Sequence, residues 1–182
     1  MPVKPVIKIG NPILNQISEP VSFIDDKLKQ GLIQDMLDTM AAENGAGIAA
    51  PQIGVNQRII IFGIGKNPRY PDAEPVPTTI LINPVVTPLG DEKKDGWEGC
   101  LSVPGYRGLV ERYTSVRYTG LNENGIRIDR VVSDFHAIVV QHEVDHLDGI
   151  LYPQRIKDMS QFGLIEELEA AGRVPKINKV EA

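Results

Sequence analysis

With a single cysteine, Cys100, in 182 residues, the chain cannot close an internal disulfide. This excludes a secreted fold held by cross-links and leaves the thiol either buried and inert or at work. Long apolar runs are also missing. No stretch reaches the about 18 consecutive apolar residues of a membrane span. Met1-Pro2-Val3-Lys4 does not lead into the apolar segment of a secretory signal, so the cytoplasm is the expected compartment, with no membrane contact. Positive charge is in short supply: 19 Lys and Arg face 24 Asp and Glu, for a net charge of -5 and a pI near 5.2. No expected face gathers Lys and Arg, which excludes a surface built to grip DNA. Internal repeats and low-complexity tracts are absent. What is present is 42% hydrophobic residues, enough for one globular domain over 1–182 with a single sizeable core. Its last residues, 172–182, are expected to fray.

Several elements follow from periodicity. Leu28, Leu32, Ile33, Met36, Leu37 and Met40 fall at helical spacing, predicting an amphipathic helix from Asp26 to about Asn44. Asp25 or Asp26 can cap its start, and Asn44-Gly45 can end it. Arg58 to Phe62 and Thr79 to Val86 are β-branched and apolar, predicting strands on either side of a proline-rich loop, Asn67 to Pro77. Ser115 to Gly120 and Ile126 to Val132 flank Asn122-Glu123-Asn124-Gly125, the turn chemistry of an antiparallel hairpin. Ser133 and Asp134 can cap a buried helix that runs to Leu147 and stops at Gly149, and Phe162 to Ala170 reads as a short terminal helix.

The penultimate helix carries His142-Glu143-Val144-Asp145-His146. Residues four apart share a helix face within about 6 Å, so two imidazoles can chelate one ion while Glu143 points to the ion's open side. Ile138-Val139-Val140 before the motif and Leu147 after it are apolar, so the polar pair is buried and needs a partner. Two ligands do not make a catalytic site, and the third decides the class. A metzincin extension would need a histidine where Tyr152 stands. A thermolysin-like site takes a downstream glutamate, and Glu166 stands 20 residues after His146. The other candidate is Cys100, in Glu98-Gly99-Cys100-Leu101-Ser102.

Three segments together bear on that choice. Gly45-Ala46-Gly47-Ile48-Ala49-Ala50-Pro51-Gln52, Glu98-Gly99-Cys100-Leu101-Ser102 and Gln141-His142-Glu143-Val144-Asp145-His146-Leu147-Asp148-Gly149 resemble the signature motifs of the peptide deformylase family, in that family's order. The resemblance runs from Gly10-Asn11-Pro12 to Ile156 and includes Asn83-Pro84. Trp97, Gly105-Tyr106 after Pro104, and the lack of a lysine-rich C-terminal helix depart from the commonest bacterial pattern. The tail from Leu151-Tyr152-Pro153 to Leu168 resembles instead a divergent proteobacterial or organelle-like branch.

The resemblance implies an α+β fold of short antiparallel sheets around a central metal-binding helix, with the amphipathic helix N-terminal to it. It implies hydrolysis of the N-formyl group from the formylmethionine of nascent polypeptides, releasing formate. Cys100, His142 and His146 would bind one divalent ion, Fe2+ in the cell, although Zn2+, Ni2+ or Co2+ would suit the same ligands. Glu143 would take a proton from water and return it to the leaving amine. The Gln52 amide and the Leu101 backbone N–H would hold the oxyanion. Gly45, Ala46 and Gly47 would receive the peptide by strand addition, and Glu98, Gly99, Arg107, Ile138 and His142 would complete the peptide site. Phe135, Ile138 and Val139 suit an apolar methionine pocket, with Trp97 at its rim. Glu98 can pair with Arg112 in support of the cysteine segment, Asp145 and Asp148 can orient imidazoles or cap backbone, and His136 falls off the ligand face. A transient ribosome contact is the expected partnership besides the formylated peptide.

Overall fold

Ile59-Ile60-Ile61-Phe62 is apolar without alternation, the mark of a strand buried on both faces. The computed structural model, which describes residues 3–65 and 74–175, gives it that position. A five-stranded antiparallel sheet has the order β1 (Gly47–Ala49), β2 (Ile59–Ile64), β3 (Val76–Pro88), then β6 (Ser115–Leu121) and β7 (Arg127–Ser133). Between β3 and β6 in sequence, β4 (Lys93–Cys100) and β5 (Val103–Tyr113) form a second sheet, completed by β8 (Phe162–Leu164).

The strand period of two divides the apolar run between two cores. Ile60 and Phe62 pack with Leu81, Tyr118, Val139, Val140 and Leu147 under the metal helix α2 (Asp134–Leu147). Ile59 and Ile61 pack with Met36, Met40, Ile48 and Ile82 under the N-terminal helix. Each side chain so buried contributes about 1.5–3 kcal/mol, and this clamps α2 to one face of the sheet. Leu14, Cys100, Val103, Val110, Leu151 and Tyr152 form a third cluster under the smaller sheet.

The N-terminal helix starts where expected, with Asp25 Oδ1 accepting from the Leu28 N–H at 2.8 Å. It ends where expected, with Asn44 at φ 50° and the Gly45 N–H on the Met40 carbonyl at 2.9 Å. It is not uniformly α-helical, because the wider π-turns of Leu28–Ile33 precede α1 (Gln34–Ala42). The β6–β7 hairpin turns on Asn122, whose Oδ1 accepts from the N–H groups of Asn124 and Ile126, both at 2.9 Å.

Ser133 is the N-cap of α2, but its hydroxyl donates to Asp134 Oδ2 instead of capping the backbone. Gly149, at φ 72°, closes the other end, and a Cβ there would meet the carbonyl carbon and oxygen of Asn15 at 2.7 Å. The terminal helix is shorter than its sequence predicts. Phe162–Leu164 pairs with β5 as β8, and Phe162 stacks on Tyr106 with ring centroids 5.1 Å apart. Only Ile165–Ala170 is helical, as α3. Within the segment expected to fray, Val174 is buried and Arg173 donates to the Ser160 carbonyl. Residues 176–182, and most of the proline-rich loop, lie outside the described residues.

Candidate metal centre

On α2 the i, i+4 spacing stacks His142 and His146 edge to face, with ring centroids 5.1 Å apart. The third group arrives from the end of β4. A register shift between Glu98 and Cys100 interrupts the β4–β5 ladder, and such a bulge re-aims side chains that strict alternation would keep on one face. Glu98 Oε2 accepts from His142 Nδ1 at 2.7 Å, while Cys100 Sγ lies 3.3 Å from His146 Nε2. The donor atoms of Cys100, His142 and His146 all lie within 4.8 Å of one another. Among the described residues this is the grouping that can hold a metal ion. Glu166 is exposed on α3 and takes no part in it.

The chemistry of the donor set fits a divalent ion. Burial penalises a thiolate, yet the charge of His146 and hydrogen bonds from both imidazoles outweigh it, holding the Cys100 thiol well below its ordinary range. Burial likewise disfavours an imidazolium at His142, but Cys100 and Glu98 outweigh it and raise that ring well above the usual value. A sulfur that ionises readily beside two imidazoles is a soft-to-borderline ligand set. With Nδ1 of His142 committed to Glu98, its Nε2 is left for the ion, the carboxylate–histidine arrangement common to such sites. His146 Nδ1 is buried without a hydrogen-bond partner.

Glu98 is itself held. Burial pushes its carboxyl up, but hydrogen bonds from His142 and Arg112 prevail and bring it to about 2. Arg112 bridges Glu98 (Nε to Oε1, 2.7 Å) and Asp145 (Nη1 to Oδ2, 2.6 Å). Asp145 and Asp148 therefore do not orient imidazoles directly: Asp145 binds Arg112 and Arg155, and Asp148 binds Arg58 at 2.8 Å. His136 is off the site, with Nε2 3.3 Å from the Tyr118 hydroxyl.

A cleft opens above the centre. Its walls are Gly45, Ala46 and Gly47 beside Gln52; Trp97 through Leu101; and Phe135, Ile138, Val139, His142 and Glu143 of α2. Glu143 is buried with Oε2 unpartnered, and burial, only partly offset by the two imidazoles, pushes its carboxyl up to about 7. Gly47 makes room for it, since a Cβ at that position would meet Glu143 Oε1 at 2.3 Å. Gln52 is fixed at both ends of its amide. Oε1 accepts from the Ala49 N–H at 2.8 Å, and Nε2 donates to Ser102 Oγ at 3.1 Å and reaches Cys100 Sγ at 3.4 Å. β1 is an edge strand. The Gly63 N–H bonds the Ala46 carbonyl, so the antiparallel alternation turns the N–H and C=O of Gly47 away from β2.

Most residues that the sequence nominates therefore line one cleft, with His146 beside it in the Cys100–His142 cluster. Arg107 lies apart: it is buried against Gly99, whose Cβ would meet the Arg107 guanidinium at 3.1 Å, and it does not form a cleft wall. Sequence reasoning missed two neighbours. Tyr152 stacks on His142 with centroids 6.1 Å apart, and Arg155 grips Asp145. No local pattern marks either one.

The polypeptide deformylase family model matches residues 3–162. Peptide deformylase 1 of Nitrosomonas europaea is 57% identical over 166 residues, covering 91% of this chain and 94% of that protein. Peptide deformylase 1 of Prochlorococcus marinus is 50% identical over 182 residues, covering 100% and 95%. The solved structure of a class I type b peptide deformylase from Acinetobacter baumannii, bound to Met-Ala-Ser, aligns with a TM-score of 0.81 at 44% identity, covering 85% of this chain and 99% of that one. The converging thiol and imidazoles, the buried glutamate beside them and these likenesses agree: the chain belongs to the polypeptide deformylase family and is a hydrolase of N-formyl peptides.

Proposed function

We propose that Cys100, His142 and His146 hold the catalytic ion with which this chain removes the formyl group from the formylmethionine of nascent polypeptides, Glu143 carrying the proton. The observation that bears most weight is Glu143: buried, unpartnered at Oε2, pushed up to about 7, and on the same helix turn as both imidazoles. A carboxyl near the working pH serves as base and acid in turn.

A formamide resists hydrolysis because its carbonyl is weakly electrophilic and its nitrogen leaves poorly until protonated. A divalent ion in this site supplies Lewis acidity and makes water a competent nucleophile near neutral pH. Glu143 takes the proton of the attacking water and returns it to the departing amine. Gln52 Nε2, aimed toward the cysteine by its bond from Ala49, and the Leu101 N–H serve as oxyanion donors. The ion is Fe2+ in the cell, while Zn2+, Ni2+ or Co2+ suit the same sulfur and two nitrogens.

The peptide adds as a strand to the Gly45–Gly47 edge, with its methionine against Phe135, Ile138 and Val139 and its formyl group between Gln52 and Glu143. Glu98 and Gly99 form the opposite wall, and Arg107 steadies that wall from behind Gly99. The Met-Ala-Ser bound by the Acinetobacter baumannii relative has the N-terminus expected of the product. One domain over 1–182 carries the reaction, in the bacterial cytoplasm, meeting chains through transient ribosome contact. The test is formate release from a formyl-Met peptide: turnover by wild type, turnover lower by about a thousandfold or more in Glu143→Ala, and an unformylated peptide left intact. Equal turnover by wild type and variant contradicts the proposal.

A further inference from the structure

A line of charged side chains runs from the surface to a proposed metal ligand. Arg155 ends the 3-10 turn Tyr152–Arg155, and its side chain is 45% exposed. It holds Asp145 at two points, Nη2 to Oδ1 at 2.6 Å and Nε to Oδ2 at 3.1 Å. Asp145 Oδ2 also accepts from Arg112 Nη1 at 2.6 Å. The other edge of Arg112 clasps Glu98, Nε to Oε1 at 2.7 Å and Nη2 to Oε2 at 3.0 Å. Glu98 Oε2 then receives His142 Nδ1 at 2.7 Å. The side chains of Arg112, Glu98 and Asp145 are 6%, 6% and 10% exposed, so two carboxylates and one guanidinium are buried together. Among themselves these three carry one net negative charge, and Arg155 is the cation bonded to Asp145 from outside. The same turn lays the Tyr152 ring against His142.

We infer that Arg155 is a positioning residue of the metal centre, acting through Asp145, Arg112 and Glu98 on the His142 ring. The inference rests on Cys100, His142 and His146 being the ligands of one ion. Arg112 is shared between two acceptors, and what Asp145 does not draw from it goes to Glu98. With Arg155 present, Asp145 is satisfied from outside. Without it, the surplus buried negative charge pulls Arg112 toward Asp145 and away from Glu98. Glu98 fixes both the tautomer and the rotation of His142, because an Nδ1–H bonded to a carboxylate leaves the Nε2 lone pair aimed at the ion. A loosened Glu98 therefore weakens metal binding.

The test uses Co2+ as the probe, its dissociation constant measured by chelator competition for wild type, Arg155→Ala, Asp145→Asn and the double variant, with circular dichroism reporting the fold. The expected result is an Arg155→Ala dissociation constant raised about fivefold, below the roughly 10–100-fold typical of losing the imidazole's own partner. The far-ultraviolet spectrum stays unchanged. That increment vanishes when Asp145 is already Asn, since coupled residues are not additive. An unchanged constant in Arg155→Ala, or the same increment with and without Asp145, overturns the inference. Cys100→Ala separates the two levels: if it binds Co2+ as tightly as wild type does, the ligand reading itself fails and this inference with it.

Discussion

Gly47→Ala tests the placement of the general base. Gly47 is not among the residues at positive φ, so alanine introduces no backbone strain and what matters is space. The new Cβ would sit 2.3 Å from Glu143 Oε1, 2.6 Å from Cδ and 2.8 Å from Cγ. An ordinary carbon–oxygen contact needs about 3.3 Å, so the carboxylate must retreat by about 1 Å. Cγ and Cδ must move with the oxygen, so the whole Glu143 side chain rotates, a move the fold absorbs at modest cost. Catalysis does not, because a displacement of about 1 Å at reacting groups costs on the order of 100-fold in rate, or about 2.7 kcal/mol of barrier. The assay is kcat/KM for a formyl-Met peptide alongside metal content and the melting temperature. The expected variant keeps one ion per chain and melts within a few degrees of wild type, yet turns over about 100-fold more slowly. Activity within threefold of wild type would refute the claim that Gly47 is small to make room for Glu143.

Gln52→Ala removes an amide held between Ala49 and Ser102. It should lower kcat by about 100-fold, or about 3 kcal/mol, at unchanged metal content; single-turnover kinetics check it. Arg112→Met leaves Glu98 and Asp145 buried with one guanidinium fewer, and breaking such a network costs about 3–5 kcal/mol, read as a fall in the urea midpoint. Stripping the ion with a chelator should lower the melting temperature, since a ligand present at about 1,000 times its dissociation constant adds about 4 kcal/mol to the folded state. Calorimetry before and after reloading measures that loss and its recovery.

The metal helix was legible because two signals agreed, apolar flanks and an i, i+4 histidine pair, and α2 runs to Leu147 as they predict. The β6–β7 hairpin was legible through Asn122, whose side chain organises the turn. β4 and β5 were not. Lys93-Lys94-Asp95-Gly96 is charged and glycine-bearing, and its strand exists because it pairs with Val110 to Tyr113 across the hairpin that turns at Leu101-Ser102. Phe162–Leu164 reads as helix by its neighbours but is captured by the open edge of β5. The missing side chain at Gly47, read in the sequence as room for a peptide, also makes room for Glu143. Arg155 was invisible, since its partner Asp145 lies ten residues away and on another element. Contacts made by tertiary placement leave no periodic trace.

The central claim is that one sulfur and two imidazole nitrogens bind a single ion. X-ray absorption at the metal edge of the loaded protein tests it most directly. The account predicts one sulfur neighbour at about 2.3 Å and two nitrogens at about 2.0–2.1 Å, with the sulfur shell missing from any ion retained by Cys100→Ala. A wild-type spectrum fitted by nitrogen and oxygen alone would contradict it.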